Sequence, residues 1–141
     1  MYEVVIETTF DAAHRLLNYD GPCQSLHGHL YRVNVSVESK VLNNNGFVID
    51  FAVLKQDVTG WIKSWWDHST LLNREDPLVE MLRSLSCKVF VFDNDPTAEQ
   101  MAEYLFDTIY GLIHMRDPNL TLGYVRIDET PTSFAYYRRS E

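Results

Sequence analysis

Cys23-Gln24-Ser25-Leu26-His27-Gly28-His29 leads directly into Leu30-Tyr31-Arg32-Val33-Asn34-Val35-Ser36-Val37-Glu38-Ser39, and this stretch decides the fold. From Leu30 onward apolar residues alternate with polar ones, which is typical of a strand with one buried and one solvated face. The apolar positions are Tyr31, Val33, Val35 and Val37. His27 and His29 continue the buried parity, so an extended chain through Gly28 carries both imidazoles on the inner face.

A third histidine lies upstream, at the end of Phe10-Asp11-Ala12-Ala13-His14. Tyr2 to Phe10 is rich in Val, Ile, Thr and aromatic residues and predicts a strand. Pairing of this strand with the strand that begins at Leu30 would bring His14 close to His27 and His29. Three neutral imidazoles with one open position are typical of a catalytic zinc site. A single His-x-His pair is weak by itself, and His114 needs no ligand role, because a histidine near a helix C-terminus is favoured by the dipole.

Composition restricts the classes of function. The chain has 141 residues and a formal net charge of -8, which predicts one domain spanning 1–141 and argues against a general nucleic-acid surface. A small-molecule partner fits better. The acidic N-terminus does not resemble a signal peptide and no apolar run is long enough for a membrane span, so we expect a cytoplasmic protein. Cys87 is expected to be a small core residue.

The remaining elements alternate in a simple order. Asp50 is a good N-cap for a helix with apolar positions at Phe51, Leu54, Val58, Trp61, Ile62 and Trp65. A short insert follows, with a helix over Leu78 to Leu85 and a strand over Lys88 to Phe92. Thr97 and Gln100 form a capping box for a second long helix, and two strands end the chain, Thr121 to Glu129 and Ser133 to Arg138. The order predicts an α+β fold, an antiparallel four-stranded sheet with two main helices on one face.

Two polar positions invite a functional interpretation. Asp67 and His68 lie where the first helix ends, a place where chemistry is often found, although a surface pair is equally compatible with the sequence. Glu129 shares the inner parity of Val125 and Ile127. Since an unpaired buried carboxylate is costly, Glu129 is either satisfied by backbone groups or reserved for a ligand.

Six motifs in order resemble those of the 6-pyruvoyl-tetrahydropterin synthase and 6-carboxytetrahydropterin synthase family. They are Phe10-Asp11-Ala12-Ala13-His14, Cys23-x3-His27-Gly28-His29, Val48-Ile49-Asp50-Phe51, Asp67-His68 with Leu72-Asn73, Pro96-Thr97-Ala98-Glu99 and Asp128-Glu129-Thr130. The resemblance covers nearly the whole chain. The three-residue gap between Cys23 and His27 is similar to the bacterial 6-carboxytetrahydropterin synthases. The chain departs from the family by an extra residue before Leu72-Asn73 and by a longer segment over 74–95.

The resemblance implies a fold, an assembly and a reaction. The fold would be the tunnelling fold, whose monomers join their sheets into a barrel, usually as a hexamer of two trimers with active sites between subunits. The implied reaction is the zinc-dependent conversion of 7,8-dihydroneopterin triphosphate to 6-carboxytetrahydropterin, acetaldehyde and triphosphate, a step toward queuosine. A pyruvoyl synthase on the same substrate and a non-catalytic zinc-binding protein are the alternatives.

The resemblance also implies roles for particular residues. His14, His27 and His29 would hold one Zn²⁺ per subunit, and Cys23, as a thiolate, would be the general base. Asp67 and His68 would form a proton relay that a neighbouring chain supplies in some members. Glu129 would anchor the pterin, because a carboxylate accepts two parallel hydrogen bonds. Thr97 is a weaker candidate for pterin contact, since helix capping explains it equally well.

Overall fold

The computed structural model describes residues 1–140. The first two strands, β1 (Tyr2–His14) and β2 (His27–Ser39), are both 13 residues long and pair antiparallel over their whole length. A 3₁₀ turn, Pro22–Gln24, lies in the loop between them. The other elements are α1 (Phe51–Trp65), β3 (Ser69–Asn73), α2 (Leu78–Ser84), β4 (Val89–Phe92), α3 (Ala98–Arg116), β5 (Thr121–Thr130) and β6 (Ser133–Tyr137).

The sheet has six strands in the order β4-β3-β1-β2-β5-β6. The predicted four-stranded antiparallel sheet is therefore wrong in the number of strands and partly in their direction, since β3 runs parallel to both β1 and β4. Four of the five residues of β3 are buried, including the neighbours Leu71 and Leu72, so β3 lacks the alternation that marks a half-buried strand. Short parallel strands covered on both faces have this continuous pattern.

Local signals place both long helices. The Asp50 carboxylate accepts a hydrogen bond from the Ala52 N–H at 2.8 Å, and the Thr97 hydroxyl accepts one from the Gln100 N–H at 3.2 Å, so both predicted N-caps are confirmed. The reciprocal half of the predicted capping box is replaced, since the Thr97 N–H donates to the Asp95 backbone oxygen. The inner face of α1 consists of Leu54, Val58 and Ile62, continued by the fully buried Trp66. Phe51 and Trp65, predicted to face inward, are 54% and 53% exposed.

The core lies between the sheet and the helices α1 and α3. It contains the inner residues of β2 and β5, the buried face of α3 and an aromatic cluster around Trp66. Cys87 does not belong to it, because the turn after α2 leaves this cysteine exposed. Within residues 1–140 no helix is long and apolar enough to cross a membrane.

Candidate metal centre and active site

The β1–β2 hairpin brings the three histidines together. His14 lies opposite His27 in the ladder, and His29 lies opposite Ala12. Odd-numbered residues of β2 and even-numbered residues of β1 face the helices, so all three imidazoles point to the same side. Gly28 allows β1 and β2 to lie close together at this point, since a Cβ at residue 28 would be only 3.2 Å from the Ala12 carbonyl oxygen.

The imidazole nitrogens converge on one point. His14 Nε2 is 3.1 Å from His27 Nε2 and 3.2 Å from His29 Nε2. One ligand atom from each histidine lies within 4.8 Å of the others, a spacing that can hold a metal ion. His14 is only 1% exposed, whereas His27 and His29 are half-buried at the open side of the site.

Backbone carbonyls orient two of the rings. His14 Nδ1 is 2.9 Å from the Pro96 oxygen, and His27 Nδ1 is 2.7 Å from the Ser25 oxygen. A carbonyl only accepts, so each Nδ1 carries the proton and each Nε2 presents a lone pair. Two lone pairs that face each other at 3.1 Å repel unless a cation lies between them. The donor set of three neutral nitrogens therefore fits zinc, and three protein ligands leave a position free for substrate.

Burial supports the neutral form of the ligands. Burial lowers the pKa of His14, an effect that the Pro96 carbonyl and the Glu129 charge only partly offset. The pKa of His29 is likewise lowered by burial, against the opposing charge of Glu129. Neutral imidazole is the form that binds a metal.

Glu129 lies at the edge of the same site. Its Oε1 is 3.5 Å from His29 Nε2, and its side chain is 25% exposed. Its neighbour Asp128 points to the opposite face of the sheet, where Arg126 holds it with two hydrogen bonds of 2.6 and 3.0 Å. Among residues 1–140, Glu129 has no Lys or Arg partner within 4.0 Å. Its carboxylate is thus available to a ligand.

Cys23 and Tyr31 complete the inner side of the site. Cys23 lies half-buried in the 3₁₀ turn. The Tyr31 ring packs on the edges of His29 and His14, with centroids 5.3 and 5.9 Å apart, and its hydroxyl is buried without a hydrogen-bond partner in the structure. Burial raises the pKa of Tyr31, helped by the charges of Glu129 and Cys23. Sequence reasoning missed Tyr31 as a site residue, since its strand parity indicates only a core position.

Asp67 and His68 lie elsewhere. Asp67 Oδ1 is 3.0 Å from His68 Nδ1 and also accepts from the Asp11 N–H at 3.2 Å. His68 has a left-handed backbone, with φ of 57°, and its side chain is 77% exposed. It borders a cavity that is also lined by residues of the hairpin, among them Ala13, Gly28 and the candidate ligand His29. The two residues contact each other as expected, but the described chain gives no hydrogen bond from them to the three histidines or Cys23.

Thr97 has the structural role that the sequence offered as its alternative. Its hydroxyl caps α3, and the preceding residue, Pro96, supplies the carbonyl that orients His14. Thr97 is half-buried beside the site.

These features define a class of protein: an α+β chain whose first hairpin presents three imidazoles able to hold a metal ion, with a carboxylate at the rim. The family model described as 6-pyruvoyl tetrahydropterin synthase matches residues 3–140, and the chain belongs to that family.

Relatives of known name and solved structures agree with this assignment. The 6-carboxy-5,6,7,8-tetrahydropterin synthase of Haemophilus influenzae is 33% identical over 145 residues, covering 98% of this chain and 99% of the relative. An uncharacterized protein from Wolinella succinogenes has the same fold, with a TM-score of 0.86, 23% identity and coverage of 99% and 98%. The 6-pyruvoyl tetrahydropterin synthase of Caenorhabditis elegans follows with a TM-score of 0.70, 28% identity and coverage of 99% and 98%. The tunnelling fold expected for the monomer is confirmed.

Proposed function

We propose that this chain converts 7,8-dihydroneopterin triphosphate to 6-carboxy-5,6,7,8-tetrahydropterin, acetaldehyde and triphosphate, as a zinc-dependent enzyme of queuosine biosynthesis. The observation that carries the proposal is the convergence of three imidazole nitrogens on one point, with the rings of His14 and His27 oriented by backbone carbonyls. The name of the full-length relative from Haemophilus influenzae supports the particular reaction.

His14, His27 and His29 would hold the zinc. When bound, zinc supplies a Lewis acid that polarises the side-chain oxygens of the substrate and makes the adjacent C–H bond more acidic. Cys23 takes that proton as a thiolate. Glu129 accepts hydrogen bonds from the pterin ring N–H and amino group, which fixes the substrate in one orientation. Thr97 lies beside the site and remains a weaker candidate for pterin contact.

The proton relay would come from a neighbouring subunit. Asp67 and His68 are paired with each other and His68 is exposed, which supports a role toward a second copy of the chain. Assembly of the sheets into a barrel, as a hexamer of two trimers, would also cover the edge strands β4 and β6. Light scattering with size-exclusion chromatography tests the assembly: six subunits are expected, and a monomer would contradict it.

The reaction is tested by incubating the zinc-loaded protein with 7,8-dihydroneopterin triphosphate. Mass spectrometry should detect 6-carboxytetrahydropterin, and an enzymatic assay should detect acetaldehyde in equal amount. Pyruvoyl-tetrahydropterin without acetaldehyde would instead support the second candidate, which the family description and the Caenorhabditis elegans structure favour. A zinc-bound protein with no turnover would contradict both.

The role of Cys23 is tested by Cys23→Ala. We expect the bound zinc to remain, because the three imidazoles are intact, and turnover to fall by about 10²-fold or more, the usual range for loss of a general base. Cys87→Ala is the matched control, since that thiol is exposed in the turn after α2. Unchanged turnover in Cys23→Ala would support the non-catalytic alternative.

A further inference from the structure

The loop between β1 and β2, residues 15–26, carries Cys23, and two of its backbone N–H groups donate to one carboxylate, that of Asp95. Arg15, at the start of the loop, is held separately by Asp76. Asp95 Oδ1 accepts from the Leu17 N–H at 3.0 Å, and Asp95 Oδ2 accepts from the Asn18 N–H at 3.0 Å. The same loop is closed on itself where the Leu16 N–H donates to the Cys23 oxygen at 2.9 Å. Asp95 therefore holds Leu17, and the adjacent Leu16 is bonded to the backbone of Cys23.

The carboxylate of Asp95 is itself held in place. Asn73, buried at the end of β3, donates its Nδ2 to Asp95 Oδ1 at 3.0 Å. The Thr97 N–H donates to the Asp95 backbone oxygen at 2.9 Å. Three N–H groups thus converge on the two carboxylate oxygens, and charge-assisted bonds of this kind are stronger than neutral ones.

The next residue serves the metal centre. Pro96 is buried, and its carbonyl oxygen accepts from His14 Nδ1 at 2.9 Å. Two consecutive residues after β4 therefore fix both parts of the site: Pro96 orients a ligand ring, and Asp95 holds the loop with the thiol.

We infer that Asp95 is a positioning residue for Cys23, and that the longer 74–95 segment supplies the anchor of the Cys23 loop. The inference rests on the proposed function for its catalytic meaning, but the loop attachment can be measured without turnover. An amide at this position would keep one acceptor and turn an N–H₂ toward a backbone N–H, which breaks at least one of the loop bonds.

The experiment compares Asp95→Asn with Asp93→Asn, both in a Cys87→Ser background. Asp93 is the matched control, because it lies two residues earlier and pairs with the exposed Arg74. Three quantities are measured: zinc per chain, the rate of Cys23 alkylation by iodoacetamide, and kcat with KM. For Asp95→Asn we expect unchanged zinc, alkylation several-fold faster, and kcat lower by about tenfold or more with KM little changed.

Two results would overturn the inference. Alkylation and kcat that equal those of Asp93→Asn would show that Asp95 does not hold the loop. A loss of zinc in parallel with kcat would show a general structural role instead. Asp95→Glu, which keeps the carboxylate, should recover part of the lost kcat.

Further controls separate folding and function. Should Asp95→Asn fail to fold, Asn73→Ala removes one donor from Asp95 and should accelerate alkylation to a smaller extent; an unchanged rate there would contradict the inference. If the wild-type protein turns over no pterin, the proposed function fails, whereas the alkylation rates still decide whether Asp95 holds the loop.

Discussion

Tyr31 occupies an apolar strand position yet carries a hydroxyl, and that hydroxyl is buried without a hydrogen-bond partner among residues 1–140. A buried donor that loses its hydrogen bonds to water and gains no protein partner destabilises the folded chain by about 1–3 kcal/mol. The ring itself is well placed, stacked on Phe10 at 5.0 Å and against two of the histidines. The polar tip of Tyr31 thus weakens the apo protein at the wall of its own site.

Tyr31→Phe should therefore stabilise the apo protein by about 1 kcal/mol, because it removes the unsatisfied group and keeps the ring. Urea denaturation without metal or substrate measures the free energy of unfolding. Tyr136→Phe is the control, since that hydroxyl is the acceptor of an exposed Arg126 hydrogen bond. A clear destabilisation by Tyr31→Phe would show that the hydroxyl has a partner in solution.

Asp76 is a buried carboxylate whose ionised form is stabilised chiefly by Arg15. Its side chain is fully buried and accepts two hydrogen bonds of 2.6 Å from Arg15. Burial raises the pKa of Asp76, but the bonds from Arg15 and the Leu78 N–H outweigh it, so the pKa lies below its usual value. A lowered pKa in the folded state stabilises the protein above the unfolded pKa and loses this contribution as the pH falls through the folded pKa.

We expect Asp76→Asn to lower the free energy of unfolding at pH 7 by about 2–3 kcal/mol, the range for hydrogen bonds to charged groups. The difference from wild type should shrink as the pH falls below about 4, since the unfolded carboxyl titrates there. Urea denaturation between pH 3 and 7 measures it. Asp93→Asn should change stability by less than about 1 kcal/mol, as its pair with Arg74 is exposed. A constant difference over this pH range would contradict the assignment.

At the scale of elements, short-range signals were sufficient for the long strands and helices and insufficient for β3. The polar–apolar alternation of β2 and the N-caps at Asp50 and Thr97 involve residues that are close in sequence, so these elements could be predicted. β3 is a strand because it lies between β1 and β4, a contact with partners remote in sequence. The sequence of such a strand has no polar–apolar alternation from which it could be predicted.

The same division applies to the site. The histidines could be predicted, because β1 and β2 form one hairpin and strand parity decides their side. Pro96 and Asp95 could not, because they reach the site from beyond β4. The position of His68 likewise depends on how the segment after α1 meets the edge of β1, where the His68 N–H donates to the Asp11 carbonyl oxygen.

Two helices contain a glycine that the fold does not require. An added Cβ at Gly60 in α1 or at Gly111 in α3 would meet no heavy atom within 4 Å. Gly46 differs, since its φ of 78° is left-handed. The helices therefore carry an avoidable loss of backbone entropy, whereas the turn before α1 needs its glycine.

Gly60→Ala should raise the free energy of unfolding by about 0.5–1 kcal/mol, because alanine restricts the unfolded chain and favours the helix. Gly46→Ala is the same substitution, but it should lower the free energy of unfolding by about 1 kcal/mol, because the backbone at residue 46 is left-handed. Urea denaturation of both variants compares the two signs. Equal effects at the two positions would mean that local conformation does not control stability here.

At the scale of the whole molecule, the formal charge of -8 contrasts with the anionic substrate of the proposed reaction. The arginines nearest the site in sequence are already engaged, Arg15 with Asp76 and Arg32 with Glu7 at 3.4 Å. A divalent cation bound by the three histidines would reduce this negative charge at the site. Metal loading should thus affect the stability of the whole chain.

We expect Zn²⁺ at a hundredfold excess over its Kd to stabilise the protein by about 2.7 kcal/mol, the linkage value for a ligand of the folded state. Differential scanning fluorimetry with EDTA-treated and zinc-loaded protein measures the shift in Tm. His29→Ala should abolish most of the shift. His114→Ala should keep it, because His114 is exposed on α3 and stacked only on Tyr110. An equal loss in both variants would place the metal elsewhere.

The three imidazoles all belong to one hairpin, closed by the short loop over residues 15–26. Closing a loop of this size is among the fastest steps available to a chain and takes place long before distant segments meet. The donor set can therefore gather while β3, β5 and the helices are still unfolded, and only the later arrival of Pro96 fixes the ring of His14. In terms of folding order, this topology allows the three imidazoles to come together before the rest of the protein packs around them.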